Sequence, residues 1–437
     1  MSFKPLSITA IIFLLSSCAQ NVYFIDPTDE SETPATVNLY MDAFGSVYPA
    51  KGLDSGFRSA HRYSGLYGMM RDESNGLCEN SDRSITDVDL LCESALIEDL
   101  DMALDQWRTV QGQLWSNYAQ EIYAIATEDG LNRNVAVLIH GFNVPQEEAD
   151  SDYLLAQQRI LKVSEGSLTE TVFVKIYWDG FTTPNFLASA DAWKKAQSSG
   201  PLVGFQLRRL FNGINELYRA NNVEPAIRVL THSSGAFVAT ATFGNPIAAL
   251  PLLQSPKEDE YELFNMYADE DSGEYAIPQL KGLRVGMLAA ATPSTSFIGP
   301  YNSDYLKSYG WLAEDTTLII SINPCDQILT KLISNTPCSF LRLNPIRMLN
   351  ILGATGTGAD PALFRHTLSP KLCERSIEHY ALDFMRTGDW KDKAKDHAFR
   401  VYLQQDESTP FLKLLMGEAI DSDARIISNS PCDRIEV

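Results

Sequence analysis

Short β-branched apolar runs alternate with longer segments of helical period through the middle of the chain. VAVLI at 135–139, TVFVKIYW at 171–178, the stretch at 227–230, LRVGMLAAA at 283–291 and TTLIISI at 316–322 read as strands. Their apolar positions are continuous rather than alternating, which fits strands covered on both faces. Between them, residues 202–220 carry Leu207, Leu210, Phe211, Ile214 and Leu217 at helical spacing, and 236–250 continues as an Ala-rich helix. Strands alternating with helices predict an α/β fold, a mostly parallel sheet with helices on both faces.

The flanks extend this pattern. Residues 37–47 read as one or two strands that open the sheet. Residues 93–127 hold Leu96, Leu100, Leu104, Trp107, Leu114, Tyr118 and Ile122, which predicts one long helix or two. IEHYALDFM at 377–385 alternates like a last strand, and PFLKLLMGEAI reads as a closing apolar helix. Residues 249–281 contain KEDEYELFNMYADEDSGE, too long for an ordinary helix–strand connection, and predict an acidic insertion or lid. Residues 37–437 together read as one elaborated domain.

The first residues have a different logic. Lys4 precedes an apolar stretch at 5–15, too short for a membrane-spanning helix of about 20 residues but suited to a secretory signal. It ends in Leu15-Ser16-Ser17-Cys18, which resembles the bacterial lipobox. That resemblance implies removal of residues 1–17, a diacylglycerol on Cys18 and, with Ala19 following, the outer membrane. Polar, acidic residues 18–36 then read as a tether. No later segment approaches 18 consecutive apolar residues, so the expected membrane partner is reached through lipid alone.

Charge and cysteines narrow the class further. The formal charge of −21 becomes −22 once Lys4 leaves with the signal, and so acidic a chain repels nucleic acid. Six cysteines remain beside Cys18, an even number that suits disulfides in an oxidising compartment. Fifteen pairings are open to them; the sequence-local choice is Cys78–Cys92 and Cys325–Cys338, leaving Cys373–Cys432. No CxxC or HxxxH spacing points to a metal.

The chemistry is concentrated at Thr231-His232-Ser233-Ser234-Gly235, directly between a strand and a helix. Small residues two before and two after a serine allow a sharp turn there. Choosing Ser234 as the exposed serine would place bulky His232 at a position that needs a small side chain, so Ser233 is preferred. Thr231, two before Ser233, is small but bulkier than glycine. His140-Gly141-Phe142-Asn143 ends another strand, 93 residues upstream of Ser233.

VLIHGFN, the strand ending in YW, and RVLTHSSGAFVAT together resemble the α/β-hydrolase superfamily over residues 133–410, and within it a lipase-like bacterial group. The resemblance implies an α/β-hydrolase fold, a nucleophile elbow at Ser233 and an oxyanion hole from the backbone N–H groups of Phe142 and Ser234. It also implies the chain order serine, acid, histidine. Asp326 stands just past the strand at 316–322, after a turn-forming Asn-Pro, and is the expected acid. His366, His379 and His397 are the downstream histidines. His379 falls inside the last strand, whereas His397 follows a charged loop before the closing helix and is favoured. His140 and His232 are expected to be structural, and His61 precedes the motifs. Such a triad cleaves an ester-type bond of a small-molecule or lipid acyl substrate through an acyl-enzyme, without metal or cofactor. An envelope protein using the same scaffold only for binding, and an acyltransferase using the same triad, are the competing readings.

Overall fold

The computed structural model describes residues 35–50, 53, 65–72, 76–164, 171–180, 189–245, 275–292, 295–298, 310–311, 313, 315–326, 329, 356–384, 397–420 and 424–430. The strands of the main sheet are β1 (Thr36–Met41), β2 (Asn134–Ile139), β3 (Thr171–Trp178), β4 (Ile227–His232), β5 (Arg284–Leu288), β6 (Thr317–Ile322), β7 (Glu378–Asp383) and β8 (Ile426–Ser430), beside a separate two-stranded pair of Gly244–Asn245 with Gly310–Trp311. The main sheet runs in the order β1-β3-β2-β4-β5-β6-β7-β8. Every neighbouring pair is parallel except β7 with β8. Val137 lies in register with Val174 on one side and Val229 on the other, and all three are buried. This is what continuous β-branched runs produce when both faces are covered.

Two helix groups cover the sheet. α1 (Thr86–Ala95), α2 (Leu100–Thr127), α4 (Ser189–Ala220) and α5 (Gly235–Phe243) pack in succession; α3 (Gln146–Val163), α6 (Phe399–Gln404) and α7 (Ser408–Met416) pack together. The predicted helical segment at 93–127 is thus two helices. Asp99 separates them, its side chain accepting the Met102 N–H as an N-cap. Ala103, Trp107, Val110, Leu114, Tyr118, Ile122 and Ala126 form the buried stripe of α2, whereas Leu96 and Leu100 at the corner are exposed. Cys78 and Cys92 are bonded, tying α1 to the short helix Leu77–Asn80 before it. Closing a loop of this length stabilises a fold by about 3 kcal/mol. Cys325 is also disulfide-bonded, and its expected partner Cys338 lies outside the described residues; Cys373 takes part in no disulfide, which overturns the expected Cys373–Cys432 pair.

Other boundaries differ from expectation for local reasons. The helix expected over 236–250 ends at Phe243, where Gly244 is extended and the buried Arg208 guanidinium donates to the carbonyls of Ala241, Gly244 and Tyr275. α4 starts at Ser189, well before position 202, and runs through Pro201. At Gly204 it lies so close to α5 that a Cβ would come within 2.2 Å of the Val238 carbonyl. α3 and β8 have no counterpart in the sequence-based expectation. Cys18, most of the tether and most of the acidic stretch at 249–281 lie outside the described residues, and the tether's expected last residue, Thr36, is the first of β1.

The strand order matters for the site. From β2 the chain passes to β3 on one side, then returns to place β4 on the other side of β2. Such a reversal opens a crevice beyond the carboxyl ends of the two central strands. His140 follows β2 there, and Ser233 follows β4.

Candidate active site

Ser233 begins the turn between β4 and α5 with φ of 53°, in the left-handed region that costs a residue with a side chain of order 1–3 kcal/mol. Its neighbours hold it there. The Ser233 N–H donates to the Leu288 carbonyl at 3.0 Å, while its own carbonyl accepts from Ala236 N–H at 3.2 Å and Ala291 N–H at 3.1 Å. The end of β5 therefore clamps the turn that leaves β4. Two glycines are required by close approach. A Cβ on Gly235 would lie 2.8 Å from the carbonyls of both Ile139 and His140, and one on Gly141 would lie 2.8 Å from Ser233 Cβ. Thr231 fits fully buried at the remaining position, its hydroxyl without a partner among the described residues.

Three expected residues, far apart in sequence, meet at this turn. Ser233 Oγ–H donates to His397 Nε2 at 2.6 Å, and His397 Nδ1–H donates to Asp326 Oδ2 at 2.7 Å. Asp326 is completely buried, Ser233 nearly so, and His397 keeps 15% of its side chain accessible. A compact turn beyond β6 sets the acid: Asn323 Oδ1 accepts the Cys325 N–H, and the Asp326 N–H donates to the Asn323 carbonyl. The second oxygen, Asp326 Oδ1, accepts the Leu329 N–H at 3.1 Å.

Tyr402, on α6, is a member that sequence reasoning missed. Its hydroxyl donates to Asp326 Oδ2 at 2.6 Å and accepts from Asn323 Nδ2 at 3.2 Å. Nothing in the AFRVYLQQ pattern marks this tyrosine out from an ordinary core aromatic.

The two motif histidines serve the framework. His140 Nδ1–H donates to the Gly141 carbonyl, and Nε2 accepts the Trp178 N–H. The Trp178 indole N–H returns a bond to the His140 carbonyl. Burial pushes the His140 pKa down to about 4, so the ring is neutral near neutrality. His232 stacks on Phe399, and its Nε2–H donates to the His397 carbonyl at 2.7 Å, fixing the backbone at His397. Burial, followed by the neighbouring His397, drives its pKa well below the ordinary value.

Phe142 N–H, expected to point at substrate, donates to Ser234 Oγ at 2.7 Å. The Ser234 N–H makes no hydrogen bond among the described residues. Phe142 packs edge-on against Trp193, which in turn meets Phe237 of α5.

The remaining histidines lie elsewhere. His379 sits inside β7, fully buried between the Ser369 hydroxyl at 2.6 Å and the Ile377 carbonyl at 2.9 Å. This second Ser–His pair includes no carboxylate and stands within the core. His366 is exposed on the helical turn at Phe364–Leu368, and His61 lies outside the described residues.

No family model, curated protein or solved structure matches this chain. Its functional reading therefore rests on its own residues.

Proposed function

We propose that the protein is a serine hydrolase of the α/β-hydrolase type, cleaving an ester-type bond of a small-molecule or lipid acyl substrate. The observation that carries the reading is the continuous hydrogen-bond chain Ser233–His397–Asp326, at the carboxyl edge of a parallel sheet beside its topological switch point. In it, His397 Nε2 takes the Ser233 proton as Oγ attacks the acyl carbonyl, and Asp326 orients the imidazole and stabilises its cationic form. The leaving group departs with the proton from His397, and water then releases the acyl group with His397 again acting as base. The left-handed backbone at Ser233 supports the same reading, because strain of this kind concentrates at elbows that present a nucleophile.

The proposal places the enzyme at the bacterial cell envelope, held by a lipid on Cys18, on the strength of the lipobox-like Leu15-Ser16-Ser17-Cys18. Fluorophosphonate labelling of the wild type with Ser233→Ala, Ser234→Ala and His397→Ala tests the chemistry. Labelling of the wild type that Ser233→Ala and His397→Ala abolish is expected. An unreactive wild type, under conditions where a known serine hydrolase reacts, removes the proposal. For the anchor, incorporation of a clickable fatty acid that persists in Cys18→Ser removes that part alone.

A further inference from the structure

The hydroxyl of Ser234, the residue after the nucleophile, is a group that the triad leaves unused. Ser234 is completely buried, and its Oγ accepts the Phe142 N–H at 2.7 Å. Its own O–H has no acceptor among the described residues. A hydroxyl carries one proton and two acceptor lone pairs, and a buried proton without an acceptor is costly. Phe142 has a single N–H proton, already directed at Oγ, so it cannot also be a full donor to a substrate oxygen. The N–H and Oγ–H of one serine are joined through Cα and Cβ and can both reach a single acceptor. An acceptor that would complete this arrangement is the oxygen on which charge develops during attack by the adjacent Ser233.

We propose that the Ser234 hydroxyl is the second donor of the oxyanion hole, beside the Ser234 N–H. The Phe142 N–H acts through it, holding Oγ in place and polarising its O–H. This rests on the serine-hydrolase reading. As Ser233 Oγ bonds to the acyl carbon, the carbonyl π pair moves onto oxygen and the Ser233 proton passes to His397 Nε2. Ser234 Oγ–H hydrogen-bonds to that oxyanion and keeps its proton. On collapse the C=O bond re-forms, and the leaving group departs carrying the proton from His397. A hydroxyl that merely plugs the Phe142 N–H would instead have to rotate away before reaction, and its removal would help catalysis.

The test compares full-length wild type, Ser234→Ala and Ser234→Cys. It measures kcat and KM for p-nitrophenyl butyrate, affinity for a trifluoromethyl ketone whose bound adduct bears the oxyanion, and fluorophosphonate labelling. Ser234→Ala is expected to lower kcat roughly 10²–10³-fold with KM nearly unchanged, and to weaken the ketone by a similar factor. Ser234→Cys, a weaker donor, should fall between. A kcat equal to or above wild type in Ser234→Ala overturns the inference, as does a fall in kcat without loss of ketone affinity. If Ser234→Ala melts below the assay temperature, the thiol variant decides: unchanged kcat and ketone affinity overturn the inference. A wild type that does not label at Ser233 removes the hydrolase reading itself, and the inference with it.

Discussion

The Tyr402 hydroxyl donates to Oδ2 of Asp326 at 2.6 Å, the same carboxylate oxygen that accepts the His397 Nδ1–H at 2.7 Å. One oxygen thus serves two donors from opposite ends of a short segment, His397 at the entrance to α6 and Tyr402 within it. Asp326 is held by the helix into which His397 leads.

Tyr402→Phe removes that anchor together with the bond from Asn323 Nδ2 to the hydroxyl. A hydrogen bond to a charged group contributes about 1.5–3 kcal/mol. A loss of stability of that order is expected in urea unfolding, together with roughly tenfold lower kcat from a less firmly oriented Asp326. A variant with wild-type stability and turnover would show that the contact does nothing for the site.

Asp326→Asn and His397→Ala should each lower esterase kcat by about 10⁴ or more, because the imidazole is lost or held in the wrong tautomer. The double variant should be barely worse than either single one, since the three residues act as a unit. Multiplicative losses in steady-state kinetics would argue against a triad.

Gly235→Ala places a methyl group 2.8 Å from two carbonyl oxygens at the end of β2. Backbone cannot yield as a flexible side chain does, so a cost of about 1–3 kcal/mol is expected. Activity should fall further than the stability loss alone explains, because the displaced turn carries Ser233. Thermal melting together with kcat at a temperature where the variant is folded separates the two effects.

His140 makes stability depend on pH. Its folded pKa of about 4 lies below the ordinary value of 6.5, so between these values the unfolded chain binds more protons. The contribution is fully present above about pH 6.5 and is lost as pH falls toward 4, a change of about 3 kcal/mol. The Asp42 carboxyl, pushed up to about 6 chiefly by burial, works in the opposite sense: its protonated form favours the fold, so its contribution falls as pH rises through 6. Comparing wild type with His140→Asn isolates the histidine. The stability gap between them should narrow as pH drops from 7 to 4.5 in urea titrations, and a constant gap would contradict the assignment.

What the sequence determined alone is whatever depends on neighbours along the chain. A strand buried on both faces must be apolar at consecutive positions, so β2 to β6 are legible as runs of Val, Ile and Leu. The turn at Ser233 is likewise local, since Gly235 and the strand–helix junction announce it. α3 escaped the sequence reading: Pro145 precedes it, Glu147 and Glu148 stand in its first turn and Ala149, Tyr153, Ala156 and Ile160 lie along one face, but its polar surface masks that stripe.

Tertiary structure decided everything that depends on which strand ends become neighbours. Ser233 and His397 stand 164 positions apart and meet only because β4, β5, β6 and β7 lie side by side with parallel ends. The same placement leaves His379 sealed inside β7, a distinction among histidines that local pattern suggests and packing enforces. The bond from Phe142 N–H to Ser234 Oγ joins the ends of β2 and β4 across the switch point. It has no signature along the chain, because it depends on how the ends of two strands that are distant in sequence are placed beside each other.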